Sequence, residues 1–363
     1  MVLLNHFGAY GWRHAEGFAT GSDAAFPWLA PMVGTGAIGV EIFFVISGFV
    51  IAMSATGARP MAFVRSRIIR IAPTLWTCAT IALIARLLYG EPLGYLFDAY
   101  LRTILLFPDG PYVDGVVWTL IVEAVFYGLV FLAMLAGPAV SFEKLAIAIG
   151  TASAVFIMAF AAATFGFMGA ESDRAADLLN RFPFKLLLLR HGVFFAIGML
   201  LFSMHRYDAT PTKIALAVGF GVFALLEIAA SAGGGAEALV QGTIWLVATA
   251  AIIASVQYRV AIERMLSRAH GMSRDLGRLS YPLYLNHYTL GMVLVPSLFA
   301  LGMGSVGALV TALTIVFTSS WLVVLGPERI GQQWLRRLIP SPSKRSSAAD
   351  PKPNAMLIAR RTL

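Results

Sequence analysis

Arg67 and Arg70, three residues apart, are the first side chains in this sequence whose types and spacing suit chemistry. On a helix they share a face, and their guanidinium forks can grip one anion between them. They lie in the run Arg65-Ser66-Arg67-Ile68-Ile69-Arg70, between two long apolar stretches, with Pro73 and Trp76 just beyond. Pro73 suits the first turn of a new helix, where its missing N–H costs little. Trp76 would sit at headgroup depth or stack on a ligand. The same run also fits a plainer reading, a cytoplasmic loop that obeys the positive-inside rule.

The remaining candidates are polar groups inside apolar runs. An ionisable side chain at mid-membrane costs at least about 2.5–3.5 kcal/mol unless it is paired or wetted. In VVWTLIVEAVFYG, Glu123 has Thr119 and Tyr127 four residues to either side, one polar stripe on one helix face; a structural ion pair that fixes helix register is the alternative for Glu123. In SYPLYLNHY, Ser280, Tyr284 and His287 are spaced four and three and again share a face, although a hydrogen-bonded core histidine would look the same. Glu41 lies near the outer end of GVEIFFVISGFVI and shares a face with Gly48, which reads best as a small-residue notch for close helix packing. Arg190 precedes His191 at the start of a span, where snorkelling to the outer interface accounts for it. His6, the only histidine of Met1–Trp12, sits in apolar surroundings and is of the type that removes a hydroxyl proton near neutral pH.

These groups need a membrane scaffold. Of 363 residues 58% are hydrophobic and only 13% charged, and the mean hydropathy is +0.77. Such values belong to an integral, all-α, polytopic transmembrane helix bundle. The net charge of +8 does not indicate nucleic acid, because the basic residues fall between apolar runs and form no stripe on a soluble face. At about 20 residues per span, full spans are expected near 34–54, 71–89, 116–136, 145–167, 186–204, 214–231, 239–257, 281–302 and 306–325. Residues 97–107 are too short and polar to cross and read as an interfacial helix. Met1–Trp12 looks like the outer end of a tenth, first span that begins upstream, giving about ten in all.

With the Arg65–Arg70 loop placed in the cytoplasm, 20 of the 27 lysines and arginines fall on that side. The loops on the other side carry Glu91, Asp98, Asp109, Asp114, Glu171, Asp173 and Asp177. The expected organisation is a transmembrane domain over 1–337 and a disordered basic cytoplasmic tail over 338–363, in the cell inner (plasma) membrane. Cys78 is the one cysteine, so no intrachain disulfide can form; a buried structural thiol suits it better than a covalent acyl carrier.

Taken in order, these pieces resemble the acyltransferase 3 family of multi-span membrane acyltransferases. The resemblance rests on Leu4-Asn5-His6-Phe7, on Gly39-Val40-Glu41-Ile42-Phe43-Phe44-Val45-Ile46-Ser47-Gly48-Phe49, and on Arg67 and Arg70 followed by Pro73 and Trp76. It continues through Trp118-Thr119-Leu120 with Glu123 and Phe126-Tyr127, Phe194-Phe195 with Gly198, Ser280-Tyr281-Pro282-Leu283-Tyr284-Leu285 with His287, and Pro327-Glu328. Each piece is weak alone, but seven in the family's order span almost the whole transmembrane part. The resemblance implies transfer of an acyl group, expected to be acetyl, from cytoplasmic acyl-CoA to a hydroxyl of a cell-surface or exported saccharide, that is, O-acetylation in polysaccharide modification. It maps the family's essential histidine onto His6 and its arginine pair onto Arg67 and Arg70; in the mechanism expected from this, His6 is the catalytic base, Glu123 orients or charge-balances it, and Tyr127 or Tyr284 donates to the developing oxyanion. Arg67, Arg70 and Trp76 become the acyl-CoA site, and Trp118, Tyr127, Tyr284, His287 and Glu41 supporting residues.

The implied chemistry uses acyl-CoA as co-substrate, with no bound cofactor and no metal; the expected partners are acyl-CoA, a carbohydrate or other hydroxyl acceptor and membrane lipid, not nucleic acid. In two places the chain departs from the family. Glu41 stands where members tend to carry Asp, and the arginine usually found some turns before the histidine would fall upstream of Met1. The alternatives are a multi-span transporter or exporter, and an inactive truncated homologue. The transporter would need paired helix breaks and mid-span acids in matching halves, for which only Glu123 and Glu227 offer themselves.

Overall fold

The computed structural model describes residues 2–3, 5–7, 35–137, 141–267 and 270–340. Leu4, Arg13, Arg268 and the expected tail from residue 341 onward lie outside the described residues. The described residues form helices joined by short connections, with no strand among them. In chain order these are α1 (Gly39–Ala55), α2 (Pro60–Leu88), α3 (Leu93–Ile104), α4 (Val117–Leu135), α5 (Phe142–Thr164), α6 (Ser172–Leu179) and α7 (Phe182–Leu186). They continue with α8 (Gly192–Arg206), α9 (Pro211–Ser231), α10 (Gly235–Gln257), α11 (Arg259–Met265), α12 (His270–Ala300), α13 (Ser305–Leu325) and α14 (Pro327–Leu338).

Seven of the described helical segments are long and apolar enough to cross a membrane, and α8, at 15 residues, is a shorter apolar helix beside them. The long α12 packs along both α13 and α2. The chain is therefore a multi-pass membrane protein, as its composition required. The ends of the spans carry the usual local signals. Ser141 accepts the Lys144 amide at 3.2 Å to cap α5, and Thr210 accepts that of Lys213 at 3.4 Å to cap α9, where Pro211 fills the first turn. Gly233, Gly234 and Gly235 turn α9 into α10 with φ of 70, 81 and 71°, a left-handed path that side chains resist. α10 buries only Gln241, Gly242 and Trp245, so most of its apolar surface faces outward.

The centre of the bundle is the α1–α8 contact, flanked by α5 and α9. A Cβ at Gly48 would run into the Phe195 carbonyl oxygen, and one at Gly198 into the Val45 carbonyl oxygen. The two backbones touch because both positions lack a side chain, which is the notch expected at Gly48. Phe44, Phe126 and Phe195 stack through this region with ring centroids 4.4–4.6 Å apart. Cys78 is a buried free thiol in a second apolar cluster with Leu75, Leu120 and Ile121. The short helix expected at 97–107 is α3, which starts four residues earlier and buries Leu96, Ala99 and Thr103 along one side.

Three expectations are corrected. Pro73 does not open a helix: α2 runs unbroken through it. Proline there removes the donor for the Ile69 carbonyl, yet the helix continues, with Pro73 packed against Gly331 of α14 and the Tyr281 hydroxyl of α12 donating to the Ile71 carbonyl at 3.4 Å. The span expected over 186–204 is broken at its start. α7 ends at Leu186, Leu188 turns with φ of 60° while buried, and α8 begins only at Gly192. That break tucks Arg190 inward instead of letting it snorkel. Arg190 is 4% exposed, 2.5 Å from the Glu227 carboxylate and 4.2 Å above the Phe160 ring.

Candidate active site

Two chambers open inside the bundle and meet at Val2, Val40 and Tyr284, which line both. The smaller, about 330 Å³, contains Arg67, Arg70, Ser47, Thr119, Glu123 and Tyr127. The larger, about 670 Å³, lies toward the opposite end of α1 and contains Asn5, His6, Glu41, Trp118, Lys185, Arg190, His191 and Glu227.

Around His6 the hydrogen bonds determine where protons sit. His287 Nδ1 lies 2.7 Å from the backbone carbonyl of Tyr284, which can only accept, so Nδ1 carries the proton and Nε2 carries the lone pair. His6 Nδ1 is 2.8 Å from that His287 Nε2 and therefore donates to it. The remaining ring nitrogen of His6, Nε2, is then the basic one. The two imidazoles stack with centroids 5.0 Å apart, and the Tyr288 ring meets His6 edge-on at 4.9 Å. A chain running Tyr284 carbonyl, His287, His6 thus fixes a tautomer and an orientation, the arrangement a general base needs.

Tyr284 contributes a second time through its hydroxyl, 2.7 Å from Thr119 Oγ1. Thr119 gives its own proton to the Val116 carbonyl at 2.9 Å, so Tyr284 is the donor of the pair. Just before α4, the Asp114 carboxylate accepts the Val116 amide at 2.9 Å and the Thr289 amide of α12 at 3.2 Å. Asp114 therefore ties α4 to the α12 segment that carries His287. Its burial pushes the Asp114 carboxyl up to about 6.

Glu123 sits elsewhere than expected. It accepts from Ser47 and lines the smaller chamber with Tyr127, Arg67 and Arg70. The group that meets His6 is His287, where sequence reasoning had put Glu123. The predicted stripe of Thr119, Glu123 and Tyr127 does line one chamber, with Thr119 bonded to Tyr284 and the other two alongside the arginines.

Of the three clustered arginines, Arg65 caps the end of α14, donating to the Ile339 carbonyl at 2.6 Å and the Arg336 carbonyl at 3.3 Å. Arg67 and Arg70 make no ion pair among the described residues and line the chamber. Arg67 packs its guanidinium 5.5 Å from the Phe63 ring centroid and 5.9 Å from that of Tyr127, and its buried Nε has no hydrogen-bond partner. Trp76 does not join them. It is 38% exposed, lines neither chamber, and its indole donates to the Ile104 carbonyl at the end of α3. Trp118 lines the larger chamber, with the Lys185 amine 5.6 Å from its ring centroid. Glu41 is there too, beside His191 and Glu227, a grouping that periodicity along single helices does not reveal.

An imidazole with a fixed tautomer lines the polar chamber and is linked through His287 to Tyr284, which lines both chambers, a geometry suited to moving a group between two molecules. No curated protein and no solved structure matches the chain. The family model described as an acyltransferase domain matches residues 1–325, up to the end of α13. The chain belongs to the acyltransferase 3 family and is a membrane acyltransferase.

Proposed function

We propose that this acyltransferase moves an acyl group, acetyl in the first instance, from cytoplasmic acyl-CoA to a hydroxyl of a cell-surface or exported saccharide, across the inner membrane. The observation that carries the reading is the His6–His287–Tyr284 chain at the junction of the two chambers. Arg67 and Arg70 hold the coenzyme phosphates at the mouth of the smaller chamber, where guanidinium forks suit phosphate better than lysine. The pantetheine arm, roughly 15–20 Å when extended at backbone-like bond lengths, runs up that chamber toward Tyr284. The acceptor occupies the larger chamber, whose lining of Asn5, Trp118, Asn180 and Lys185 suits a polyhydroxylated ring.

His6 Nε2 takes the acceptor's hydroxyl proton as the oxygen attacks the thioester carbonyl. The carbon–sulfur bond then breaks, and the coenzyme thiolate leaves with the proton that His6 collected. The Tyr284 hydroxyl turns from Thr119 to the developing oxyanion. Glu123 steadies Tyr127 and offsets the charge of the arginines, a positioning part in place of the catalytic one first expected. No second reading gains a specific observation. The two mid-span acids of the transporter alternative are Glu123, held by Ser47, and Glu227, paired with Arg190.

The test is transfer of labelled acetyl from acetyl-CoA to saccharide in membranes that carry the protein. Membranes with His6→Ala should show none while the protein is still present at normal levels. Undiminished transfer by that variant would remove His6 from the mechanism.

A further inference from the structure

In the larger chamber, at the end opposite Arg67 and Arg70, three side chains converge that the transfer chemistry does not use. A carboxylate oxygen of Glu41 (α1), a ring nitrogen of His191 (before α8) and a carboxylate oxygen of Glu227 (α9) all lie within 4.8 Å of one another. Two of them are nearly inaccessible, His191 at 3% and Glu227 at 1% exposure. Neither ring nitrogen of His191 has a hydrogen-bond partner, nor has Glu41 Oε2 or Glu227 Oε2. Buried polar atoms are rarely left so, because each stranded one costs about 1–3 kcal/mol. One ring nitrogen of His191 and one oxygen from each carboxylate converge there without a hydrogen bond between them, and a bound cation satisfies the three together.

The geometry points to a divalent metal site built by Glu41, His191 and Glu227. Its surroundings support the ligands as metal sites require. Glu227 uses Oε1 to accept from Arg190 at 2.5 Å and from Ser231 at 2.7 Å, which leaves Oε2 as its oxygen without a partner. Arg190 is itself held by Asn180 at 2.5 Å. The His191 ring is clasped between Phe44 and Trp118, at centroid distances of 5.3 and 5.8 Å. One imidazole with two carboxylates favours a borderline ion such as Zn²⁺ or Mn²⁺ over Mg²⁺ or Ca²⁺, which prefer oxygen alone. Metal–ligand bonds of about 2.0–2.2 Å bring tetrahedral ligands to roughly 3.3–3.5 Å of one another. Binding therefore draws the three groups in by up to about 1.5 Å, within reach of carboxylate rotation. Three protein ligands leave the remaining coordination positions open to the chamber.

Purified protein in detergent, stripped with a chelator and dialysed, should bind about one equivalent of Zn²⁺, measured by titration and by elemental analysis. Zn²⁺ should also raise its melting temperature by several degrees, whereas Mg²⁺ should not. His191→Ala should lower Zn²⁺ affinity by more than about tenfold, since even supporting partners are worth that much. Should His191→Ala fail to fold, Glu41→Gln, close to isosteric, carries the same expectation. Glu227 is left intact because Arg190 depends on it. No stoichiometric Zn²⁺ or Mn²⁺ on the unaltered protein, or equal affinity in a folded variant, overturns the site. Metal content is read without acyl transfer, so failure here leaves the proposed reaction standing, and the reverse.

Discussion

His6 Nδ1 lies 2.8 Å from His287 Nε2, and the two residues are 281 positions apart in the chain. The contact brings the opening segment against α12 and makes one histidine the orienting partner of the other. In many hydrolytic sites a carboxylate has that role. Here a neutral imidazole whose own proton is committed to a backbone carbonyl does so, which suits a site in lipid because it introduces no buried charge.

It follows that His287→Ala should lower acyl transfer on the order of 10²–10³-fold, within the span that general-base catalysis contributes. Acyl-CoA binding should not change. His287→Gln, which can still accept from His6, should retain more activity than His287→Ala. Steady-state rates on matched membrane preparations would check the order of the two; if both variants match the unaltered protein, His287 does not orient the base.

The arginines should separate by role. Losing a charged hydrogen-bond partner costs about 1.5–3 kcal/mol, so Arg67→Ala or Arg70→Ala should weaken acyl-CoA binding by about 10- to 100-fold each. Arg65→Ala should leave that affinity alone and cost about 0.3–1 kcal/mol of stability, as expected for a cation lost from a helix C-terminus. Calorimetric titration of the three variants with acyl-CoA distinguishes these outcomes, and equal effects from all three would return the cluster to a topology signal.

How far the sequence carried this picture follows from what helical periodicity encodes. Spacing says which residues share a face of one helix, so the Arg67–Arg70 pair, the Gly48 notch and most span positions were legible. It does not say which face of another helix they meet. Glu123 was therefore matched with His6, whereas Ser47 and Tyr127 are its neighbours. Of the two places open to Trp76, headgroup depth or a stack on the ligand beside Arg67 and Arg70, the second does not fit, because Trp76 lies on the exposed side of α2. Arg190 was sent to the interface because nothing along α8 announces the buried turn at Leu188, the feature that brings Arg190 and His191 inside.

The α1–α8 contact should tolerate no added volume. At Gly48 and Gly198 a new Cβ meets backbone oxygen atoms, which cannot rotate away as a side chain would. Gly198→Ala should lower stability by about 1–3 kcal/mol, the usual cost of overpacking, and Gly198→Leu should prevent accumulation of folded protein. At Gly128, where a Cβ meets nothing within 4 Å, Ala should be harmless. Melting temperatures in detergent provide the comparison; equal values for the alanine variants at 128 and 198 would mean the helices can part without cost.

Asp114 gives the fold a pH dependence of definite sign. Its carboxyl is raised from 3.8 to about 6 by burial, so between these values the folded chain holds a proton that the unfolded chain has released. Protonation therefore favours folding. The contribution is fully present below about pH 4 and is lost as pH rises through about 6, at most on the order of 3 kcal/mol for a shift of two units. Asp114→Asn should flatten that slope, because an amide does not titrate there. Its overall stability should be lower, since both carboxylate oxygens accept amide protons and an asparagine has only one oxygen to offer. Melting temperatures from pH 4.5 to 7.5 should fall with pH in the unaltered protein and less steeply in the variant. Parallel curves would mean that Asp114 keeps an ordinary carboxylate's acidity in the folded protein, and that its tie between α4 and the His287 segment is indifferent to pH.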